Sequence, residues 1–160
     1  MDTLSHTLWS GGLFGFRGRP CTALLFGALP DLAAFGPWLA YRLLSGRLEP
    51  GKPDLADIPA WVFHAYDVSH SLLVAGLATG LALRLRPALG FAMLAWPFHV
   101  LVDIPTHTRA FFPTPFLWPV SDVTVPGVSW ATAWVWLPNL AGLVLLWAWR
   151  LGRRAETGPT

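Results

Sequence analysis

Residues 130–149, WATAWVWLPNLAGLVLLWAW, run for twenty positions without a charge and end at Arg150, Arg153 and Arg154. About 20 apolar residues, rising about 1.5 Å each, cross the roughly 30 Å hydrocarbon core of a bilayer. Tryptophans at both ends suit the membrane interface, and Pro138-Asn139 in the middle predicts a kink or a face buried against another helix. The remainder of the chain agrees. It is 54% hydrophobic and 12% charged, against about 25% charged in soluble domains. So few charges cannot cover a soluble core of this size without leaving large apolar patches. The expected fold is all-α, a polytopic helical membrane protein of two helical hairpins plus a C-terminal transmembrane helix. Residues 1–150 form a single integral-membrane domain in this reading, and 151–160 a disordered polar tail.

The start, MDTLSHTLWSGG, lacks a basic n-region and a cleavage site, so it reads as part of the mature chain. The first hairpin is expected over 7–16 and 22–29, turning at Arg17–Arg19; pieces of about ten residues reach only about half of the core. A short interfacial helix over 37–47 and a proline- and charge-rich solvent loop over 48–58 follow. The second hairpin pairs 69–83 with 88–103 across a turn at 84–87, and Gly76 and Gly80 form a GxxxG, a spacing that permits close helix approach. Residues 104–129 hold five prolines and read as an ordered loop on the membrane face. Cys21 alone excludes an internal disulfide and a cysteine zinc cage, and the scattered arginines exclude a nucleic-acid stripe. The basic segments at 17–19, 84–86 and 150–154 fall on one side, which the positive-inside rule makes cytoplasmic, with the C-terminus there; Arg42, Arg47 and Arg109 do not follow the pattern.

With that topology, helix ends far apart in sequence deliver His6, Asp31, His70, His99 and Asp103 to the opposite, outer side. Ionisable groups in membrane segments are costly and point to function. Imidazole and carboxylate are ligands for first-row metals, and His99 and Asp103 share one helical face one turn apart. Pro105 is expected to push Ile104 out of helical geometry, which frees His107 from that face. The structural alternatives are capping roles for His6 and Asp31 and an N-terminal polar cluster at His70 with Ser69 as N-cap. His64, Asp67, His107 and Asp122 lie in or near loops, where polar residues need no special role.

Four stretches, SHTLWSGG at the start, GALPDL at 27–32, SHSLL at 69–73 and HVLVDIPTHTRAFFPTPFLWPVSD at 99–122, are similar to the bacterial inner-membrane metal-dependent hydrolases of the YdjM type, in order and over most of the chain. The resemblance implies a multi-pass inner-membrane protein with metal-dependent hydrolase activity. Where that family has HRGxTHS, this chain has Tyr66, Asp67, Val68 and Ser69 before His70, so the surroundings of the histidine differ while it is kept. The order His, Asp, His, His-x3-Asp is also similar to the ligand order of zinc-dependent phospholipases C and related single-strand nucleases, in which the second acid bridges two zinc ions. That likeness implies a bridging role for Asp103.

The expectation is therefore a hydrolase whose centre of one to three divalent ions, foremost zinc, is held by His6, Asp31, His70, His99 and Asp103. Activated water attacks a phosphoester or other ester of a lipid-like substrate, and the partners are the bilayer and that substrate. Asp67, His107 and Asp122 are the candidate catalytic base or orienting groups, and Arg109 a candidate phosphate contact. The rival classes are a metal-binding or ion-transporting membrane protein and a structural membrane module.

Overall fold

Asp2 starts the first helix, α1 (Thr3–Phe14): its carboxylate accepts from the Ser5 amide at 2.8 Å. The computed structural model describes residues 1–156, with side chains through Arg153. Among the described residues six further α-helices follow, α2 (Pro20–Leu44), α3 (Ala60–Ser69), α4 (Leu72–Leu85), α5 (Pro87–Met93), α6 (Ala95–Thr106) and α7 (Ala133–Glu156), with one 3-10 turn at Leu55–Asp57 between α2 and α3. Among the described residues there is no strand. Three segments, Pro20–Leu44, Pro87–Thr106 and Ala133–Arg153, are long and apolar enough to cross a membrane, and α3 with α4 forms a fourth such segment if the 49° bend between them is one broken span. The chain is an all-helical membrane protein.

Several expected boundaries move. The pieces at 22–29 and 37–47 are one 25-residue helix, α2, which passes through Pro30 and Pro37. A proline removes one N–H and crowds the preceding turn, but in an apolar medium neighbouring groups can take up freed backbone positions. At this point the Ser69 hydroxyl also donates to the Pro30 carbonyl at 3.0 Å, which ties α2 to the end of α3. Likewise α6 continues through Pro105, so residues 104–106 are helical. His107 therefore does not leave the Asp103 face: its amide still donates to the Asp103 carbonyl at 3.1 Å. Helix α3 was not expected at all, and Ser71, not Ser69, caps α4, accepting from the Val74 amide at 3.2 Å. The second half of the later hairpin is divided between α5 and α6 at Leu94. Residues 151–156, read as the start of a polar tail, extend α7, and 157–160 lie outside the described residues.

Close approach of α1 to α2 sets the geometry of the centre. A Cβ on Gly27 would stand 2.4 Å from Ser10 Oγ and 2.8 Å from the His6 carbonyl, so only glycine lets α1 lie this near. Gly27→Ala should lower stability by about 2 kcal/mol through overpacking, read by reversible urea or SDS titration. Gly76→Ala is the control, because nothing lies within 4 Å of a Cβ there. Among the described residues nothing lies within 4 Å of a Cβ at Gly76 or Gly80, so no close helix packing uses the GxxxG.

Helix α7 packs on α1, and only 6% of its apolar window is buried, which leaves most of it to face lipid. Asn139 explains its own place in that span: its amide donates to Ser5 Oγ at 2.9 Å and its carbonyl accepts from Trp9 at 2.7 Å. At one end of the bundle, Arg17 lies 4.1 Å from the Phe91 ring and Arg150 4.4 Å from the Phe16 ring, so basic segments distant in sequence meet there. The segment 107–132 folds back over the other end of α6. The Val128 and Trp130 amides donate to the Pro105 and Thr106 carbonyls at 2.9 and 3.0 Å, satisfying groups a helix terminus leaves open.

Candidate metal centre

His70 occupies the break between α3 and α4, where the chain leaves helical geometry and its imidazole turns into the bundle, fully buried. His99 and Asp103 come from α6, Asp31 from α2 beside Pro30; His99 and Asp103 are fully buried and Asp31 is 8% exposed. One ligand atom from each of Asp31, His70, His99 and Asp103 lies within 4.8 Å of all the others. The spacings are His70 Nε2 to His99 Nε2 3.3 Å, His99 Nε2 to Asp103 Oδ2 3.1 Å, and His70 Nε2 to Asp103 Oδ2 3.5 Å. Asp31 Oδ1 is 3.4 Å from His70 Nε2 and 3.7 Å from His99 Nε2. A tetrahedron with arms of about 2.0–2.1 Å, the zinc–nitrogen distance, has edges of about 3.3–3.4 Å. Five of the six edges thus lie at 3.1–3.7 Å, near that value, and the Asp31–Asp103 edge lies within 4.8 Å.

Their hydrogen bonds dictate which ring nitrogens face inward. His99 Nδ1 lies 2.7 Å from the Gly27 carbonyl, which can only accept, so Nδ1 carries the proton of the neutral ring and Nε2 presents a lone pair. His70 Nδ1 is placed the same way by the Tyr66 carbonyl at 3.2 Å, with Ser69 Oγ at 3.0 Å. The rings are clamped by stacking, His70 on Tyr66 and His99 on His6, with centroids 3.8 and 3.5 Å apart. Two imidazole lone pairs and two carboxylate oxygens thus converge on one point. Asp103 Oδ2 is buried and accepts no hydrogen bond. An arrangement of acceptors only needs a positive charge at its centre, a shared proton or a metal ion, and buried imidazole and carboxylate are a fitting metal donor set.

The other oxygen of Asp103 faces a different group of residues. His6 Nε2 lies 2.8 Å from Oδ1, and the Met1 ammonium donates to Oδ1 as well. His6 therefore touches the centre through Asp103 and does not contribute to the four-atom set. His107 Nε2 is 3.5 Å from Oδ1; its Nδ1 is 2.9 Å from the Phe112 carbonyl and 3.0 Å from the Tyr66 hydroxyl, which itself donates to that carbonyl. Burial holds the His107 imidazole below its ordinary range, outweighing the opposite pull of the Asp103 carboxylate. Asp67 is half-buried on α3, while Asp122, His64 and Arg109 are exposed, and none supplies an atom to the four.

Sequence reading did not find Tyr66 and Gly27, although both support the histidines. Tyr66 carried a usable signal: at four residues before His70 it lies on the same face of α3. The backbone carbonyl of Gly27 carried none, since a main-chain acceptor has no residue type.

A cavity of about 680 Å³ opens beside the centre, and Asp31 and His107 form part of its wall. The fold and this centre define a helical membrane protein with a buried His/Asp cluster able to hold a metal ion. Comparison with protein-family models, with curated proteins and with solved structures gives no match.

Proposed function

We propose that the chain is a membrane-embedded, metal-dependent hydrolase of the kind its motifs resemble, acting on a phosphoester or other ester of a lipid-like molecule. The observation that carries the metal is the convergence of Asp31, His70, His99 and Asp103, whose ligand atoms lie within 4.8 Å of one another, with Asp103 Oδ2 lacking any donor. Zinc is the ion the donor set suits best. A divalent ion held there would supply Lewis acidity, lowering the pKa of a bound water toward neutrality and polarising an ester oxygen. The chain's own residues do the rest. His70 and His99 keep their lone pairs inward through the Tyr66 and Gly27 carbonyls, and the Thr3 hydroxyl holds the second oxygen of Asp31 at 2.6 Å. His107, on the cavity wall with Nε2 3.5 Å from Asp103 and 3.2 Å from the Met1 ammonium, is the candidate base for a water entering from the cavity. Asp67 and Asp122 are better suited to roles outside the centre.

Gathering of the basic ends around Phe16 and Phe91 supports an inner-membrane orientation in a bacterial cell, with those ends and the C-terminus cytoplasmic and the centre toward the outer side. One observation favours a second reading, a metal-binding or ion-handling membrane protein without catalysis: four protein donors make the count of a closed structural zinc site, whereas catalytic sites keep a position open. The cavity favours catalysis, because Asp31, one of the four donors, forms part of its wall, so an ion held there would have a side open to a further ligand. Metal analysis of protein purified in mild detergent, followed by a screen of phosphodiester and phosphomonoester hydrolysis, separates the readings. We expect stoichiometric metal and turnover that a chelator abolishes. Metal without turnover favours the second reading, and no metal removes both.

A further inference from the structure

The cavity beside the centre combines three kinds of wall. It is lined by Asp31 and His107 of the centre's surroundings, by the aromatic Phe35, Phe111 and Trp130, and by the charged Asp2, Lys52 and Met1, whose N-terminal ammonium is already paired with Asp103. Lys52 is exposed, and its Nζ stands 4.0 Å from the Phe111 ring, a contact that favours placing the ammonium at the cavity mouth. The loop over 48–58, expected to be a mere solvent connection, thus brings a cation to the mouth. Arg109, the phosphate contact expected from sequence, is exposed and is not part of this wall.

We propose that this cavity is the substrate pocket of the metal centre, that its ligand is the phosphate group of an amphiphile, and that Lys52 is the residue selecting that phosphate. The proposal rests on the metal-binding reading of Asp31, His70, His99 and Asp103. A tetrahedral phosphate can offer one oxygen toward the centre and another to an ammonium in the same wall, which an uncharged ester cannot do. The aromatic flank accounts for the apolar arm. At about 680 Å³ the space falls in the range that encloses a drug-sized ligand, so it takes a head group and the first part of a chain. The remainder of a long chain stays outside, where a membrane protein offers apolar surface.

The test uses the full chain in nanodiscs of zwitterionic lipid, loaded with cobalt(II), whose visible spectrum reports both ion binding and any new ligand. Hexyl phosphate and inorganic phosphate are titrated separately. Hexyl phosphate should change the cobalt spectrum and bind at least about tenfold tighter than inorganic phosphate, through burial of its alkyl arm. Lys52→Gln should weaken hexyl phosphate about tenfold while cobalt affinity stays as in the parent, and Arg109→Gln should alter neither. Equal affinity for the two phosphates overturns the amphiphile and makes free phosphate the ligand. Unchanged binding in Lys52→Gln, or a cobalt spectrum indifferent to hexyl phosphate, overturns the pocket while leaving the metal centre intact. Failure to bind cobalt at all overturns both.

Discussion

Replacing Asp103 with asparagine should abolish metal retention. The substitution keeps the shape of the side chain and removes the charge, so packing around α6 is preserved while the acceptor set changes. Asp103 is fully buried, its Oδ2 takes part in the four-atom cluster, and its Oδ1 faces His6, His107 and the Met1 ammonium. Asparagine must either turn its NH2 toward the centre, where a donor repels a cation, or toward His6 and the ammonium, where it meets other donors. Losing one member of a buried charged set costs about 3–5 kcal/mol, equivalent to roughly 10²- to 10³-fold or more in metal affinity. Competition against a chromogenic chelator measures this directly. His6→Gln should fall between, at about 10- to 100-fold, because it acts on the ion only through Asp103. Asp67→Asn and Asp122→Asn should retain parental affinity, and retention by Asp103→Asn as well would end the case for the centre.

How much of this was readable in advance depended on whether a feature was local. His99 and Asp103 stand one turn apart on one helix, a relation that needs only helical periodicity. Assembly of Asp31 and His70 with them followed from counting helix ends, and the structure does bring those residues together. The count succeeded although α2 was cut in two, because Asp31 reaches the centre from the middle of α2, beside Pro30, and not from a helix end. Proline rules describe the cost of a lost hydrogen bond in isolation, and a helix packed among others in an apolar medium can carry that cost. The same overestimate of proline misplaced His107, which remains one turn beyond Asp103. Helix α3 was obscured because its residues, AWVFHAYDVS, mix polar and aromatic positions with no clear apolar run. Lys52 was unreadable for another reason. Its placement depends on Phe111, fifty-nine positions away, and no spacing rule relates two loops.

Stripping the metal should destabilise the protein, and only if the four donors are intact. Without an ion the structure confines two inward lone pairs and two carboxylates in a buried space, and bound cation offsets that repulsion in the folded state alone. Binding to the folded state stabilises by about 4 kcal/mol when free ion exceeds its dissociation constant about 1,000-fold. In a chain of this length such a change moves the melting temperature by roughly 10 °C. Thermal unfolding in nanodiscs, followed by tryptophan fluorescence with zinc buffered at that excess and again with a chelator, should show this difference. The paired variant His70→Ala, His99→Ala removes both lone pairs and should melt at one temperature under either condition. Its melting point need not fall below that of the stripped parent, because deleting two facing acceptors relieves repulsion even as it opens a cavity. A parent protein indifferent to chelation would indicate that a shared proton, not a metal ion, holds these four residues together.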